Sequence, residues 1–542
     1  MRPRSARSGS GRKNCAAGVE SPPWQRGRSG SPRCRCSWPH WTWFSPPFSD
    51  WKVGLEGSVL VRSRAHRIRA SPIRGRGRVR IGGKLTESKD TIGATGGPPG
   101  IWELAFPAIL GNLLYAVVAM TQTKFVGELG PEALAAVGAG QRVFFALQAV
   151  LLAISAGTTA LVARAWGAGD PHEASRVTVT SLILGCLFSL VVTVFGVVFA
   201  DSIAGIFGLD EETNRLAAEN IRMLSAFNVA FAVNFILSSA LRAAGDAWTP
   251  LLIGGVVNVI NVPLLYIFVY GKFGAPMLGP TGAALSAGLA FTAGAVLLLA
   301  LWMNQRFRIS YLTVGWFSRA RFRRLFDIGY PAGLEQLVFQ AGFFGFLMLI
   351  GIYYGTEAFA AYNIGVNLLN VCMVVGFGFS IAGSTLVGQH LGANDFEGAV
   401  RSGWRACAMA MVSMGLLGAI VIYFARDLAV FFLGDEEVTI ELTVQFTYVL
   451  GAMMSLLAID FAIGGALRGA GDTRFPLIAT FVGLIGMRCG LAALFTFLGL
   501  PVVWVYGALI GDYVVKGAML LWRFHSGRWK LAVRNEDLDF AS

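Results

Sequence analysis

From about residue 100 onward the chain alternates long apolar stretches with short polar breaks. Each stretch runs to about 20–30 residues, enough for a helix to cross a hydrocarbon core of roughly 30 Å. The pattern predicts twelve transmembrane helices, near residues 101–125, 133–163, 175–200, 214–242, 248–270, 281–303, 325–353, 358–388, 400–424, 438–467, 474–497 and 502–523. The breaks alternate in charge. One set carries Arg164 and Arg176, Arg242, the cluster Arg306, Arg308, Arg319, Arg321, Arg323 and Arg324, then Arg401, Arg405, Arg468, Arg474, Arg523, Arg528 and Lys530. The other set is short or acidic, as at Asp210-Glu211-Glu212 and Asp435-Glu436-Glu437. Positive loops stay in the cytoplasm, so both termini are expected there, in agreement with an even number of spans.

The second half rewrites the first at an offset of about 225 residues. Leu161-Val162 and Trp166-Gly167-Ala168-Gly169-Asp170 return as Leu386-Val387 and Leu391-Gly392-Ala393-Asn394-Asp395. Leu241-Arg242-Ala243-Ala244-Gly245-Asp246, ending at Pro250, returns as Leu467-Arg468-Gly469-Ala470-Gly471-Asp472, ending at Pro476, and Pro107 pairs with Pro331. Six spans per copy give both copies the same orientation. The expected fold is therefore an all-α integral membrane protein: two pseudo-symmetric six-helix lobes, a tandem parallel repeat about the membrane normal with a cleft between. The lobes are expected at 100–304 and 325–524, joined by a basic cytoplasmic linker at 305–324 and followed by a cytoplasmic tail at 525–542.

Composition agrees. The 542 residues are 54% hydrophobic and 14% charged, against roughly 25% charged in a soluble domain. The net charge of +13 resembles a nucleic-acid signature, but its arginines follow membrane topology and no nucleic-acid partner is expected. Residues 1–95 are rich in Arg, Ser, Gly and Pro without an apolar period, which predicts disorder. That segment reads as a dispensable extension, a start assigned too far upstream or, alternatively, an organelle transit peptide. Gly82-Gly83-Lys84-Leu85 lacks the Ser or Thr of a phosphate loop. Cys15, Cys34 and Cys36 in the tail and Cys186, Cys372, Cys407 and Cys489 in apolar runs show neither disulfide nor zinc spacing.

The repeated Arg-x-x-Gly-Asp has a structural explanation. Glycine supplies the left-handed residue that ends one helix, arginine complements that helix's dipole, and aspartate caps the next helix. Asp170-Pro171-His172-Glu173 opens its helix in the same way. These hairpins, with Phe125-Val126-Gly127, Leu129-Gly130, Phe377-Gly378-Phe379-Ser380, Gly388-Gln389-His390-Leu391-Gly392 and the closing Ser526-Gly527-Arg528-Trp529-Lys530, resemble the multidrug and toxic compound extrusion (MATE) family over about residues 100–530. The resemblance implies a two-lobed, twelve-helix antiporter that couples inward sodium or proton flow to export of organic, often cationic, compounds. In the family an aspartate near the outer end of the first helix and a second acid in the fifth are expected. Here those positions are Gln122 and Val262, the latter within Asn258-Val259-Ile260-Asn261-Val262-Pro263. Amides can ligate a cation but cannot release a proton near neutral pH, so Gln122, Asn258 and Asn261 stay cation candidates only.

An ionisable residue inside a span is costly and thus a functional candidate. The deep acids are Glu335, Asp460 and Asp512. Glu335 and Asp460 lie on the helices where the sodium-coupled branch of the family carries its acids, each displaced by about one turn. Together they could hold Na+, or one of them could carry a proton; Glu335, one turn past Pro331, could also be solvated at the interface. Asp512 and Lys516 stand four apart, the spacing of an internal ion pair or a proton relay. Arg142 and Arg488 are expected to meet carbonyls or acids of neighbouring helices, and Lys124 to reach the outer surface. Gln148, Asn228, Asn234, Gln340, Asn363, Asn367 and Asn370 could face the cleft or bond between helices. Phe144, Phe145, Tyr266, Phe339, Phe343 and Phe344 could stack on a flat cation or simply pack.

These readings make the chain a multi-pass plasma-membrane exporter, a monomer in lipid that binds small organic substrates and needs no cofactor beyond its coupling ion. The alternative is a flippase for lipid-linked oligosaccharide or peptidoglycan precursor, which would need an electropositive cleft. An intramembrane enzyme is disfavoured for want of a His/Asp/Ser or metal constellation in the spans.

Overall fold

The computed structural model describes residues 99–208, 210–311, 314–433 and 437–530. The basic segment 1–95 with its three cysteines and Gly82–Leu85, the acids Asp435 and Glu436, and the tail beyond 530 lie outside the described residues.

Each apolar stretch becomes a helix because a bilayer leaves backbone groups no other partner. The first lobe comprises α1 (Ile101–Gly127), α2 (Pro131–Gly167), α3 (Pro171–Val198), a short α4 (Ala200–Gly205), α5 (Glu211–Ala226), α6 (Asn228–Ala243), α7 (Trp248–Tyr270) and α8 (Gly279–Met303). The second comprises α9 (Arg319–Gly355), α10 (Glu357–Gly392), α11 (Phe396–Tyr423), a short α12 (Ala425–Leu433), α13 (Glu437–Gly469), α14 (Arg474–Phe497) and α15 (Val502–His525). Eleven of these helices are long and apolar enough to span a membrane, and α5 with α6 makes the twelfth. The protein is thus an all-α membrane protein of twelve spans in two lobes.

The fourth span, read from the sequence as one helix over 214–242, is broken. Its halves meet at 49°. Phe227 sits at the break with its ring pressed where any side chain on Gly288 of α8 would have to go. Its counterpart α13 runs unbroken for 33 residues and is the most buried span of its lobe. Around it lies one continuous apolar core with Phe346, Tyr362, Phe446, Met453, Met454 and Tyr506, whereas the first lobe's core is divided among smaller clusters.

The hairpins follow their local chemistry in part. Gly245 and Gly471 take φ of 92° and 87°, the left-handed turn that a helix end requires. Asp246 accepts the Thr249 amide at 3.0 Å and so caps α7. Asp472 departs from that expectation: its carboxylate takes Arg523 of α15 at 2.8 Å. Between the lobes the chain is pinned to α3, where Arg321 holds Glu173 through Nε and Nη2 at 2.8 and 2.9 Å and Ser175 accepts the Ser310 amide.

The lobes join on the arginine-bearing side, and the joint obeys the repeat. A Cβ on Gly167 of α2 would strike the carbonyl of Gln389, and a Cβ on Gly392 of α10 would strike the carbonyl of Arg164. Arg164 also donates to the Ala470 carbonyl at 3.0 Å, while its counterpart Gln389 donates to the Ala243 carbonyl at 2.9 Å. Each lobe therefore grips the other's hairpin with the same pair of positions.

Candidate functional site

The deep charges of the second lobe meet one another. Arg468, at the last turn of α13, reaches Glu335 of α9 at 3.6 Å, and Thr480 of α14 donates to the same carboxylate at 3.4 Å. Deeper, Lys516 of α15 donates to Asp460 of α13 at 3.2 Å. Deeper still, Arg488 of α14 lies 2.6 Å from Asp512 of α15. Asp460 is nine residues short of Gly469 and Lys516 nine short of His525, so both sit about 13 Å along their helices from the arginine side. Arg488 is fourteen residues past Arg474, about 20 Å along. Three acids and three cations thus form a ladder through the lobe with no net charge.

This corrects the pairing that spacing suggested. Asp512 and Lys516 share a helix face, yet Lys516 extends across to α13 and Asp512 takes Arg488. The reason lies in α14, which is π-helical from Phe481 to Cys489. The wider turn shifts the helical register and aims Arg488 at α15. Gly483, inside the π stretch, lets the helices close up, since a Cβ there would collide with the Asp512 carboxylate. The Arg488–Asp512 contact is close but off-axis, and neither Asp512 oxygen accepts a well-aligned hydrogen bond among the described residues. Tyr513 stands between the cations, with its ring centroid 5.2 Å from the Arg488 guanidinium and 5.3 Å from Lys516 Nζ.

Exposure differs along the ladder in a way that matters for access. The side chains of Asp512 and Lys516 are 0% and 2% exposed, that of Glu335 15% and that of Asp460 20%. Glu335 and Asp460 are therefore both partly open, whereas Asp512 is closed off.

The amides of the first lobe show no such network. Gln122 is half-buried on α1. Asn258 and Asn261 are buried on α7, with Asn258 Nδ2 and Asn261 Oδ1 lacking hydrogen-bond partners among the described residues. Gln148 and Asn234, candidates for the cleft, are packed between helices instead. Gln148 donates to Asn228 Oδ1 at 2.9 Å, and Asn234 donates to the carbonyls of Ala230 and Phe291 at 2.9 and 2.7 Å. Of the second lobe's candidates, Gln340, Asn367 and Asn370 are exposed, while Asn363 is half-buried and bonds the Phe359 carbonyl at 2.9 Å. Arg142, expected to meet a neighbouring helix, is exposed, as is Lys124. Phe144 packs edge-on against Phe231 and Phe343 lies tilted against Tyr362, whereas Phe145 and Phe344 are each 61% exposed. Sequence reasoning missed Arg468 and Thr480 as partners of Glu335. Arg468 was visible only as part of a hairpin motif, and a threonine six residues past an arginine carries no signal.

Outside the spans, Asp395 caps α11. The Gly398 amide, together with His390 at 2.9 Å, holds its carboxyl below the usual carboxylate range.

The MatE family model matches the chain twice, over residues 107–267 and 331–494, starting in each lobe at the repeated proline. The chain belongs to the MatE family. Among curated relatives, this MatE chain is 30% identical to a probable multidrug resistance protein NorM of Thermotoga maritima, over 79% of this chain and 92% of that protein. It is 28% identical to a probable multidrug resistance protein NorM of Rhodopseudomonas palustris, over 82% and 94%. Among solved structures it shares the fold of an outward-facing multidrug resistance MATE family transporter of the MOP superfamily, with a TM-score of 0.74 at 24% identity, covering 80% of this chain and 95% of that one. As a MatE protein the chain is a multi-pass membrane transporter of small molecules.

Proposed function

We propose that this transporter is a multidrug exporter, a secondary antiporter that moves small organic cations outward against inward flow of sodium or protons. The arginine-bearing side faces the cytoplasm, with both termini, following the positive-inside rule. The observation that carries the reading is the ladder: the second lobe invests three carboxylates in its interior, whereas the buried polar side chains described above for the first lobe's spans, Gln148, Asn228, Asn234, Asn258 and Asn261, are amides. Coupling is therefore assigned to Glu335, Asp460 and Asp512, with Asp460 the point of entry because its carboxylate is partly open to approach and is held by a lysine rather than an arginine. The NorM relatives are named for drug resistance, which supports the substrate class. Alternating access follows from opening and closing the joint that Gly167, Gly392, Arg164 and Gln389 make.

The flippase alternative needs surplus positive charge in its cleft. Three acids balancing three cations supply none in the second lobe, which favours the exporter. The test is transport of an organic cation by purified protein in vesicles, with sodium and proton gradients imposed separately. Asp460→Asn and Glu335→Gln are expected to abolish gradient-driven accumulation. Full export by both variants would remove the second lobe from the coupling mechanism.

A further inference from the structure

We infer that Lys516 carries the coupling proton, and that a substrate cation and the Lys516 ammonium compete for the single carboxylate of Asp460. This rests on the second-lobe reading above and narrows it to one group and one ion.

The geometry is asymmetric in a way that singles out this pair. Of the three cations on the ladder, Arg468 and Arg488 are guanidinium groups and keep their charge in any protein environment, whereas a lysine can exist as the neutral amine. Of the three acids, Asp460 alone is held by the lysine, through one hydrogen bond at 3.2 Å. The lysine lies behind its acid, 2% exposed, while the acid is 20% exposed, so an incoming cation meets the carboxylate first. The groups that face Lys516 are Asp460 from α13, Glu335 from α9, Arg488 from α14, and Asp512 and Tyr513 from its own helix. Arg488 already occupies Asp512, and Arg468 and Thr480 already engage Glu335. A displaced ammonium therefore finds only anions that already have a cation beside them: Asp512, four residues back on its own helix, accepts no well-aligned hydrogen bond among the described residues but lies 2.6 Å from Arg488.

Charge balance then sets the step. With all six groups ionised the ladder is neutral, and an added monovalent cation would leave it at one net positive charge in a low-dielectric interior, which is costly. Neutrality returns when one N–H bond of the ammonium breaks, the electron pair stays on nitrogen and the proton passes to water. The reverse step, protonation of the amine, restores the ammonium to Asp460 and expels the substrate. One proton is exchanged for one monovalent cation, and no sodium is required.

The test uses the full transporter in detergent with tetraphenylphosphonium, a permanently charged probe. In the parent, affinity should tighten about tenfold per unit rise in pH, the linkage slope for one displaced proton, and binding should release one proton in weak buffer. The binding enthalpy, corrected for buffer ionisation, should carry a large endothermic contribution, since amine ionisation has a large enthalpy and carboxyl ionisation a small one. Lys516→Gln should bind with no pH slope and no proton release. Lys516→Arg should bind weakly, also without a slope, because its cation cannot leave. A parent with no pH slope, a buffer-corrected binding enthalpy that lacks the amine's ionisation contribution, a folded Lys516→Gln protein that no longer binds, or one that keeps the parental slope would each overturn the assignment. The parental measurements decide even if the variants fail to fold. Asp460→Asn separates the two levels. If it binds with the parental slope, the second-lobe reading itself fails. If it loses binding while Lys516→Gln keeps the slope, only the lysine is wrong.

Discussion

At α3 and α11 the two lobes are nearly one structure written twice. Both helices run 28 residues, begin 225 positions apart, and are capped by Asp170 and Asp395 accepting the amide three residues on. Even the turns correspond, with Gly169 at φ 72° and Asn394, one of the few other residues that tolerate the left-handed region, at 56°. Toward the middle of the membrane the lobes part company. Where the second lobe has an unbroken α13 carrying Asp460 and a π-helical α14 carrying Arg488, the first has a fourth span broken at Phe227 and a regular α7 carrying Asn258 and Asn261. Backbone plan and hairpins are shared because both halves must pack and turn alike. The buried polar chemistry is not shared: the second lobe's interior holds the ion pairs of Glu335, Asp460 and Asp512, and the first lobe's spans hold the buried amides Gln148, Asn228, Asn234, Asn258 and Asn261. Duplication here preserved the frame and let the interiors specialise.

The sharpest way to break that comparison is to remove one charge. Arg488→Met should cost about 3–5 kcal/mol, because it strands a wholly buried Asp512 carboxylate. The double variant Arg488→Met with Asp512→Leu should recover most of that loss. Denaturant or thermal unfolding in detergent reads both, and a single variant that unfolds like the parent would mean the pair is not buried in the working protein. Next comes the joint. Gly392→Val and Gly167→Val each force a side chain into a carbonyl of the other lobe, an overpacking worth about 1–3 kcal/mol against the closed joint. Spin-label distances across the arginine side should lengthen in both variants and by similar amounts. A large effect from one glycine and none from the other would show that the repeat's symmetry stops short of the gate.

The frame was legible in the sequence because its determinants are local. Apolar run length sets each span, so that 248–270 and 474–497 could be read to the residue, and the repeated Gly-Asp sets each turn. The break at Phe227 was not legible, since neither proline nor glycine marks it; it depends on a phenylalanine meeting Gly288 from another helix. The site was half legible. Deep acids declare themselves by their cost, so Glu335, Asp460 and Asp512 could be named. Which cation each would take depended on the π register of α14 and on the reach of Lys516 across to α13, neither of which has a sequence signature. The amide candidates suffered more, because an Asn that bonds a neighbouring helix and one that lines a cleft look alike until packing is known.

A smaller effect is expected from the first lobe's polar core. Gln148→Leu orphans Asn228 Oδ1, but it also removes Gln148 Oε1, which already lacks a partner among the described residues. The two effects oppose each other, and the net change should stay within about 1 kcal/mol. If Gln148→Leu instead unfolded the protein as severely as Arg488→Met, the claim that the first lobe carries only cheap polarity would fail.

The smallest difference lies where the lobes are most alike. Asp395 has His390 beside it, whereas the position equivalent to His390 in the first lobe, 225 residues earlier, is Ala165, so Asp170 caps alone. Asp395→Ala should therefore lower the melting temperature slightly more than Asp170→Ala at neutral pH. The sign of its pH dependence comes from the carboxyl's lowered value in the folded state. The folded protein favours the carboxylate, so the stabilisation is present above the unfolded pKa of about 3.9 and disappears as pH falls through the lower folded value. The gap between parent and Asp395→Ala should accordingly close in acid, as read by melting curves stepped from pH 7 downward. A gap that persisted unchanged would mean that Asp395 acts by its shape in the turn, and that the His390 contact which distinguishes it from Asp170 contributes nothing through the carboxylate's charge.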